Sequence, residues 1–288
     1  MNLKIIHKDN EYFPKNFLKL KDCPEFIFVI GNEKILNDFS IAIVGARKAS
    51  YESKEMAREV AKELVENDIT VVSGLAIGID SAAHIGALSV NNKTIAVLGN
   101  GLDKTYPREN KKLALQIIEN GGAIISEQLP GTDPLPINLN RRNRLISALS
   151  GGVLIIEAKQ KSGSLITAEY AKKQDKKLFV IPGGINDTNY DGSNKLLVDG
   201  ALCVRNAKDI LSNLEIKSKV LVKQNITKKV PENLNEIYKI VTKKGVSFQE
   251  ICNKSDESAK DIFTKLTLLE VSGYIKKSGG KFFKSWFP

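Results

Sequence analysis

The chain has 288 residues, of which 42% are hydrophobic and 26% charged, and this ordinary globular composition suits one large or two moderate domains. No apolar run approaches the roughly 18 residues of a membrane span, and the start lacks the apolar core of a signal peptide. The sequence therefore argues against export and against a membrane-spanning protein. Cys23, Cys203 and Cys252 are widely spaced, without the paired spacing of a metal site, and predict buried thiols in a reducing, cytoplasmic compartment.

The net charge of +10 is unevenly distributed along the chain. Residues 1–40 are balanced, residues 41–216 carry a net charge of +2, and residues 217–288 carry 15 basic and 7 acidic side chains. A basic tail on a nearly neutral body favours a polyanionic partner, nucleic acid above all. The alternative is that these lysines only keep the surface solvated.

Residues 1–40 are predicted to be a short N-terminal extension packed on the core, with one strand candidate at 26–30. From residue 41, apolar strands alternate with amphipathic helices up to residue 214. The strands are predicted at 41–45, 69–72, 94–98, 123–126, 152–157, 178–181 and near 202, and the helices at 51–66, from 80, at 108–120, 141–150, 165–173, from 193 and at 207–214. Continuous Val/Ile/Leu strands indicate a doubly wound, mostly parallel Rossmann-like α/β sheet covered on both faces.

Residues 215–230 contain five lysines and little apolar pattern, which predicts a basic linker. Residues 231–288 then predict three helices, at 231–241, 246–252 and 256–271, followed by a hairpin with a Gly-Gly turn. This order is typical of a small winged helix-turn-helix domain. Its third helix begins with Asp256, Glu257 and Asp261, so a protein contact or a nonspecific DNA contact is favoured over reading of duplex sequence.

The chain is organised around residues 73–84, where a buried strand breaks at Ser73 and Gly74, turns through Gly78 and restarts as a helix from Asp80. A loop of this kind directs backbone N–H groups and the positive end of a helix dipole at one point, which suits an anion. The alternative is that its glycines only form a tight turn. His84 lies on the same helix without an obvious nucleophile or metal partner, so packing is favoured over acid–base chemistry.

Two more glycine loops follow strands of the same sheet, and an arginine-rich segment opens a helix after a fourth strand. Because the carboxyl ends of parallel strands meet at one edge, we expect all of these groups to converge on phosphates. The predicted phosphate-binding residues are Arg47, Lys48, Ser73, Gly74, Gly78, Arg142, Asn143, Arg144, Lys161, Ser162, Gly163 and Ser164. The alternative for the arginines is that they pair with carboxylates of their own loop.

None of these loops has the spacing of an NTP-binding loop or of a dinucleotide fingerprint, so the sequence predicts no nucleotide cofactor. It also predicts no metal site and no catalytic residue. Tyr106 and Pro107, which follow another strand end, could shape the loop over the site or offer a stacking ring.

Five motifs together resemble the DNA-processing protein A family (DprA, also called Smf). They are IVGAR at 43–47, SGLAIGIDSAAH at 73–84, Tyr106-Pro107, RNR with a downstream ALS at 142–150, and KSGS at 161–164. The resemblance covers about residues 12–215, and the tail matches a common C-terminal extension of the family. It implies a cytoplasmic, homodimeric protein without catalysis, which binds and protects single-stranded DNA and loads the RecA recombinase in natural transformation.

Two features depart from the family pattern. The family often has Phe-Pro shortly before its Arg-Asn-Arg run, whereas Leu139 and Asn140 stand there in this chain, so a base-stacking ring is missing at that point. Only about 40 residues precede the predicted sheet, fewer than in family members with an N-terminal helical domain.

The main alternative is a nucleotide-processing phosphoribohydrolase on a related Rossmann scaffold. Such enzymes carry Pro-Gly-Gly-x-Gly-Thr-x-x-Glu after a strand, with the glutamate serving the glycosidic chemistry. Residues 162–167 occupy the matching place here without a carboxylate in the required position, Glu169 comes later, and the Pro-Gly-Gly of 182–184 lies on a different loop. A third alternative, a transcription regulator that binds specific duplex sequences, is supported by the C-terminal tail alone.

Overall fold

The computed structural model describes residues 2–90, 93–216, 230–242 and 245–284. The chain divides into two compact units, Met1–Val220 and Leu221–Pro288. Each unit has its own hydrophobic core.

The first unit is built on a nine-stranded sheet with the spatial order β1-β2-β6-β5-β4-β3-β7-β8-β9. The strands are β1 Leu3–His7, β2 Phe26–Gly31, β3 Ser40–Gly45, β4 Thr70–Ser73, β5 Thr94–Leu98, β6 Ala123–Ser126, β7 Gly152–Ile156, β8 Lys177–Ile181 and β9 Leu202–Cys203. Strands β3 to β9 are all parallel, whereas β1 and β2 run antiparallel at one edge. The prediction of a mostly parallel, doubly wound α/β sheet is confirmed.

Seven helices cover the two faces of this sheet. They are α1 Tyr51–Glu66, α2 Ile79–Leu88, α3 Lys111–Glu119, α4 Pro136–Leu149, α5 Gly163–Lys173, α6 Asp191–Val198 and α7 Ala207–Asn213. Strand β3 shows how the layers form, because its side chains alternate between the faces. Ile41 and Ile43 pack in the cluster that contains α1 and α2, while Ala42 and Val44 pack in the cluster that contains α4 and α5.

The order of the strands determines where a ligand site can form. From β3 the chain proceeds outward in one direction through β4, β5 and β6, then returns to the other side of β3 and proceeds through β7, β8 and β9. The loops after β3 and β7 therefore leave the sheet toward opposite faces and open a crevice between them. This is the topological switch point at which open α/β sheets bind their ligands.

Several element boundaries differ from the sequence prediction. Strand β1 was not predicted, because its short apolar run is interrupted by lysine and only Ile6 of β1 is buried. Helix α4 begins at Pro136, so residues 136–140 are helical rather than part of a loop; a proline fits this first turn because its missing N–H has no intrahelical partner there. Cys203 was predicted to be buried but is exposed, since β9 is a two-residue edge strand.

The second unit contains α8 Asn235–Ile240, α9 Phe248–Cys252 and α10 Ala259–Val271 with a three-stranded sheet, ordered β10-β12-β11. The strands are β10 Val246–Ser247, β11 Ile275–Ser278 and β12 Lys281–Lys284, all antiparallel. The predicted hairpin is present, whereas the segment predicted as the second helix contributes β10 before α9. Asp256 and Glu257 precede α10, which Ser258 caps through its side chain. The predicted linker, 215–230, lies mostly outside the described residues.

Candidate functional site

A cleft of about 440 Å³ opens at the switch point, between the loop after β3, helix α4 and the start of α5. Its walls bring together residues that are far apart in the sequence. They are Val44, Gly45, Ala46, Arg47, Lys48, Ala76, Asp80, Leu139, Asn140, Arg142, Asn143, Ile146, Lys159, Lys161, Ser162, Gly163, Ser164 and Thr167. Eight of the twelve predicted site residues, all except Ser73, Gly74, Gly78 and Arg144, line this single cleft.

Four exposed cations form the rim of the cleft: Arg47, Lys48, Lys159 and Lys161. Among the described residues, no carboxylate oxygen lies within 4.0 Å of any of their charged nitrogens. Lys159 was not predicted, although its position two residues before Lys161 and just past β7 could have suggested it. The rim therefore carries uncompensated positive charge that is available to an anionic ligand.

The start of α5 adds a second attraction for anions on the same side of the cleft. Ser162 is the N-cap, and its Oγ lies 2.7 Å from the Ser164 Oγ, so two hydroxyls and the first turn of an 11-residue helix face this region. Helix N-termini present unpaired N–H groups and a partial positive charge, and both stabilise a phosphate. A Cβ on Gly163 would meet nothing within 4 Å, so this end of the helix is open.

Hydrogen bonds join the loop after β3 to the loop after β7. The Ala46 N–H donates to the Glu157 carbonyl at 2.8 Å, and the Ser50 N–H donates to the Glu157 carboxylate at 2.8 Å. Glu157 is buried and holds a positive φ of 51°. Gly45 leaves no room for a side chain, since a Cβ there would lie 1.9 Å from the Ile156 carbonyl oxygen. The two halves of the rim are thus parts of one hydrogen-bonded structure.

The central loop, residues 73–78, is held by hydrogen bonds to other parts of the protein. Its N–H groups at Gly74 and Ala76 already donate to the Asp80 carboxylate, at 3.0 and 3.4 Å. Ser73 is fully buried and donates through Oγ to the Ile43 carbonyl at 2.6 Å. The Asp80 carboxylate therefore accepts from two amides of the loop for which the sequence predicted an anionic ligand, and it closes the loop before helix α2.

Gly78 is required where this loop meets the one after β3. Its φ is +89°, and a Cβ would lie 2.3 Å from the Ala46 carbonyl oxygen and 2.6 Å from that of Arg47. Only glycine adopts this conformation without strain, and only glycine allows the two backbones to approach so closely. Gly78 thereby fixes the position from which Arg47 projects.

Arg142 lines both the main cleft and a smaller cleft that adjoins it. Its side chain is 6% exposed, and its Nη1 donates to the Gly74 carbonyl at 2.8 Å and also to the Val97 carbonyl. Burial lowers the pKa of Arg142 to about 10, while the charge of Asp80 acts in the opposite direction, so the guanidinium stays protonated at neutral pH. Asn143 accepts from the Arg142 Nε at 3.2 Å and donates to the Gly163 carbonyl at 3.3 Å, which links α4 to α5.

Arg144 does not line the cleft. Two positions along α4 from Arg142, its buried guanidinium donates through Nη2 to Glu127 at 2.5 Å, and its Nε lies 2.6 Å from Asp22. Both Arg144 and Glu127 have at most 6% of the side chain exposed. Arg144 therefore fits the alternative considered from the sequence, in which an arginine pairs with a carboxylate of its own loop.

A second cleft of about 200 Å³ adjoins the first and shares Arg47, Ala76, Leu139 and Arg142 with it. Its lining includes the ring of Tyr106. The other lining residues are Gly74, Ile77, Leu98, Gly99, Asn100, Pro107 and Glu109. Two clefts that both contact Arg47 and Arg142 thus lie side by side along the carboxyl edge of the sheet.

His84 lies in the core behind the central loop, fully buried, with Nδ1 2.7 Å from the Thr94 hydroxyl. Thr94 donates its own proton to the Val71 carbonyl at 2.9 Å, so the imidazole is the donor in the shared bond. Burial lowers the pKa of His84 to about 3, and the Arg142 charge acts in the same direction. The imidazole is therefore neutral and has a packing role, as the sequence favoured.

The described part of the chain contains no cluster of three or more His, Cys, Asp or Glu side chains suited to a metal ion. No helix within those residues combines the length and the apolar character that crossing a membrane requires.

The fold and the cleft together define a Rossmann-type α/β protein with a basic cleft at its switch point. Comparison with known proteins assigns this class more closely. Residues 4–215 match the family of DNA recombination-mediator protein A, and the chain belongs to that family. It is 36% identical over 285 residues to Protein Smf of Escherichia coli K12, an alignment that spans 95% of this chain and 75% of the relative. It is 41% identical over 206 residues to DNA processing protein DprA of Streptococcus pneumoniae R6, which covers 72% of each chain.

Two solved structures have the same fold as the first unit. The crystal structure of DprA from Streptococcus pneumoniae aligns with a TM-score of 0.69 and 39% identity over 74% of each chain. DNA processing protein A from Helicobacter pylori, studied for its mode of binding single-stranded DNA, aligns with a TM-score of 0.67 and 35% identity, covering 75% of this chain and 96% of that one.

Proposed function

We propose that the protein binds single-stranded DNA, without sequence preference, along the carboxyl edge of its sheet. The observation that carries this proposal is the convergence of Arg47, Lys48, Lys159 and Lys161, all exposed and unpaired within the described residues, with the open N-terminus of α5 on one cleft. A basic rim beside a cleft that contains the ring of Tyr106 suits a flexible strand, which can place phosphates and bases separately. Membership of the DNA recombination-mediator family supports the same substrate class.

We infer that the proposed DNA-binding residues form two tiers. The first tier lines the main cleft and, in this proposal, contacts phosphates: Arg47, Lys48, Lys161 and the start of α5 at 162–164. Ser73, Gly74, Gly78 and Asn143 act through the backbone and side chains that they hold in place. Arg142 belongs to both tiers, because it lines the clefts while two carbonyls hold its guanidinium.

The proposed role extends to recombination. We infer that the protein protects incoming single strands in the cytoplasm and loads the RecA recombinase during natural transformation, acting as a homodimer without a cofactor. The support is family membership together with the resemblance of the motifs at 43–47, 73–84 and 142–150. We infer also that residues 231–288 form a winged helix-turn-helix domain, supported by three helices followed by a hairpin in that order.

An enzymatic function is disfavoured by the side chains of the cleft. Among the described residues that line it, Asp80 is the one carboxylate, and it is buried and already accepts two backbone N–H groups. A phosphoribohydrolase needs a carboxylate that can approach the glycosidic bond. We therefore propose that the protein is not an enzyme, and incubation with nucleoside monophosphates should release no free base.

The test is a titration of the full chain with fluorescent single-stranded and duplex oligonucleotides of equal length and mixed sequence at several salt concentrations. We expect tighter binding to single strands. Lys161→Ala should lower affinity by roughly 10- to 150-fold, the range of a charge-assisted hydrogen bond, and make the log–log salt dependence shallower by about 0.7. Lys62→Ala, an exposed lysine on α1 outside the cleft, is the matched control and should bind normally.

Equal affinity for single strands and duplex would overturn the proposal. So would a Lys161→Ala variant that binds single strands with the wild-type affinity and salt dependence.

A further inference from the structure

A third cleft, of about 690 Å³, opens between α4, the C-terminal end of α5 and the segment at 16–22, and it shares no lining residue with the two clefts already described. Five cationic side chains and two carboxylates line it: Lys19, Lys21, Arg144, Lys173 and Lys176, with Asp22 and Asp175. In the part of the chain that the structure describes, none of the four lysines has a carboxylate oxygen within 4.0 Å of its ammonium nitrogen. The cleft therefore carries uncompensated positive charge, which favours an anion.

Arg144 is the buried cation of this cleft, with 3% of its side chain exposed. Its Nη2 donates to Glu127 and its Nε lies 2.6 Å from Asp22, but its Nη1 has no hydrogen-bond partner. A buried donor on a charged group that lacks an acceptor is costly. An anionic oxygen in the cleft is an acceptor suited to remove that cost, since guanidinium groups form strong hydrogen bonds to phosphate oxygens.

The same wall contains an acceptor that lacks a donor. The amide nitrogen of Gln174 donates to the Arg144 carbonyl at 3.1 Å, which fixes the orientation of the amide, and its Oε1 has no hydrogen-bond partner. A ligand that satisfies both groups must accept from the guanidinium and donate to the amide oxygen. Inorganic phosphate does both at neutral pH, because it retains a P–OH group beside its charged oxygens. Sulfate has a similar size and charge but no proton to donate.

We propose that this cleft binds inorganic phosphate or a short condensed phosphate such as pyrophosphate, with charged oxygens toward Arg144 and the lysines and a P–OH group toward the Gln174 Oε1. The volume exceeds that of a single phosphate and lies within the range of small-ligand sites. Burial lowers the pKa of Lys176, and the charge of Lys19 acts in the same direction, so an anion between these lysines would counter their repulsion. Occupancy of this cleft does not depend on the proposed binding of DNA.

The test is a calorimetric titration of the full chain with phosphate, pyrophosphate and sulfate at neutral pH, in chloride buffers of constant ionic strength. Wild-type protein should bind phosphate about 2- to 12-fold more tightly than sulfate, as one hydrogen bond predicts. Pyrophosphate should bind more tightly than either, because it carries more charge. Equal affinities for phosphate and sulfate would overturn the proposal.

Variants assign the binding to the cleft. Lys176→Ala should weaken phosphate binding roughly 10-fold or more, as loss of a charge-assisted hydrogen bond predicts. Lys172→Ala is the matched control, because this exposed lysine of α5 does not line the cleft, and it should bind phosphate like wild type. Gln174→Met should abolish the preference for phosphate over sulfate while binding of sulfate persists. Urea unfolding of each variant checks that the fold is retained.

Lys161→Ala separates this cleft from the rim of the main cleft, and it should retain the preference for phosphate over sulfate. If that preference is lost in Lys161→Ala but kept in Lys176→Ala, phosphate binds at the rim and the third cleft is not a site. Lys176→Ala should also bind single strands with the wild-type affinity. Loss of strand affinity with unchanged phosphate affinity would contradict the proposal, since the cleft would then hold phosphates of the DNA rather than a free anion.

Discussion

The rim of the main cleft and helix α4 both present basic side chains at the same edge of the sheet, yet the structure uses them differently. At the rim, Arg47 and Lys161 are exposed and have no carboxylate partner within the described residues. On α4, Arg142 and Arg144 are buried, and both are engaged by carbonyls or carboxylates of the protein itself. A cluster of arginines in a sequence therefore indicates strong electrostatic interactions without showing whether the partner is a ligand or the fold.

Among substitutions that test this difference between the rim and α4, Arg144→Ala should have the largest effect on stability. Arg144→Ala removes the buried partner of the Glu127 carboxylate and leaves only the exposed Arg141 near it, and breaking a buried ion pair costs about 3–5 kcal/mol of unfolding free energy. Arg141→Ala is the matched control, because its side chain is 57% exposed and its Nε lies 3.6 Å from the same carboxylate. Urea denaturation should show less than about 1 kcal/mol of loss for the control. An Arg144→Ala protein that unfolds like wild type but fails to bind DNA would return Arg144 to the ligand-contacting group.

Two glycines of the site provide the next test. Gly78→Ala should destabilise the protein by about 1–3 kcal/mol for backbone strain alone, and the overlap with the Ala46 and Arg47 carbonyls adds to this cost. Gly163→Ala, at the open start of α5, should be neutral or stabilise by up to about 1 kcal/mol, since alanine favours the helix. Thermal and urea unfolding of both variants measure the difference. Equal destabilisation would mean that the central loop is no more constrained than the rim.

The buried His84 gives the supporting core a pH dependence. Its pKa in the folded protein, about 3, lies below the ordinary value of 6.5, so between these values the unfolded state binds a proton that the folded state does not. Stability should therefore fall as pH decreases below 6.5, by about 2 kcal/mol at pH 5 relative to pH 7. Burial raises the pKa of Asp80, which acts in the opposite direction and is common to wild type and variant.

Comparison of variants isolates the histidine contribution. His84→Gln should flatten the decline of unfolding free energy between pH 7 and pH 5, and His7→Gln, at the other and exposed histidine, is the control for the substitution itself. The measurement is urea denaturation at several pH values. An unaltered decline in His84→Gln would show that another group titrates in this range.

The smallest effect on stability is expected at the rim. Arg47→Ala should change the unfolding free energy by no more than about 0.5 kcal/mol, because the side chain is exposed and has no ion-pair partner among the described residues. Its effect should fall on DNA affinity instead. An Arg47→Ala protein that unfolds early would break the comparison, since the rim would then be part of the support.

The sequence predicted the sheet well because its strands are continuous apolar runs separated by glycine loops, which is typical of parallel strands buried on both faces. It also predicted that the loops after β3 and β7 would meet. It could not separate the roles of Arg142 and Arg144, because the angular difference of about 200° between them on a helix has meaning only once the surroundings of α4 are known. Nor could it show that Asp80 closes the central loop, since a carboxylate six residues after Gly74 is equally suited to capping the helix.

The contact between Glu157 and the loop after β3 has a consequence for the dynamics of binding. The amides of Ala46 and Ser50 lie outside any strand or helix, yet both are hydrogen-bonded to Glu157, one to its carbonyl and one to its buried carboxylate. Hydrogen exchange at these two amides should therefore be as slow as in neighbouring strands, although loop amides usually exchange fast. A DNA strand that binds this surface removes little conformational entropy from the protein. The entropic cost of binding therefore comes mainly from the ordering of the DNA itself.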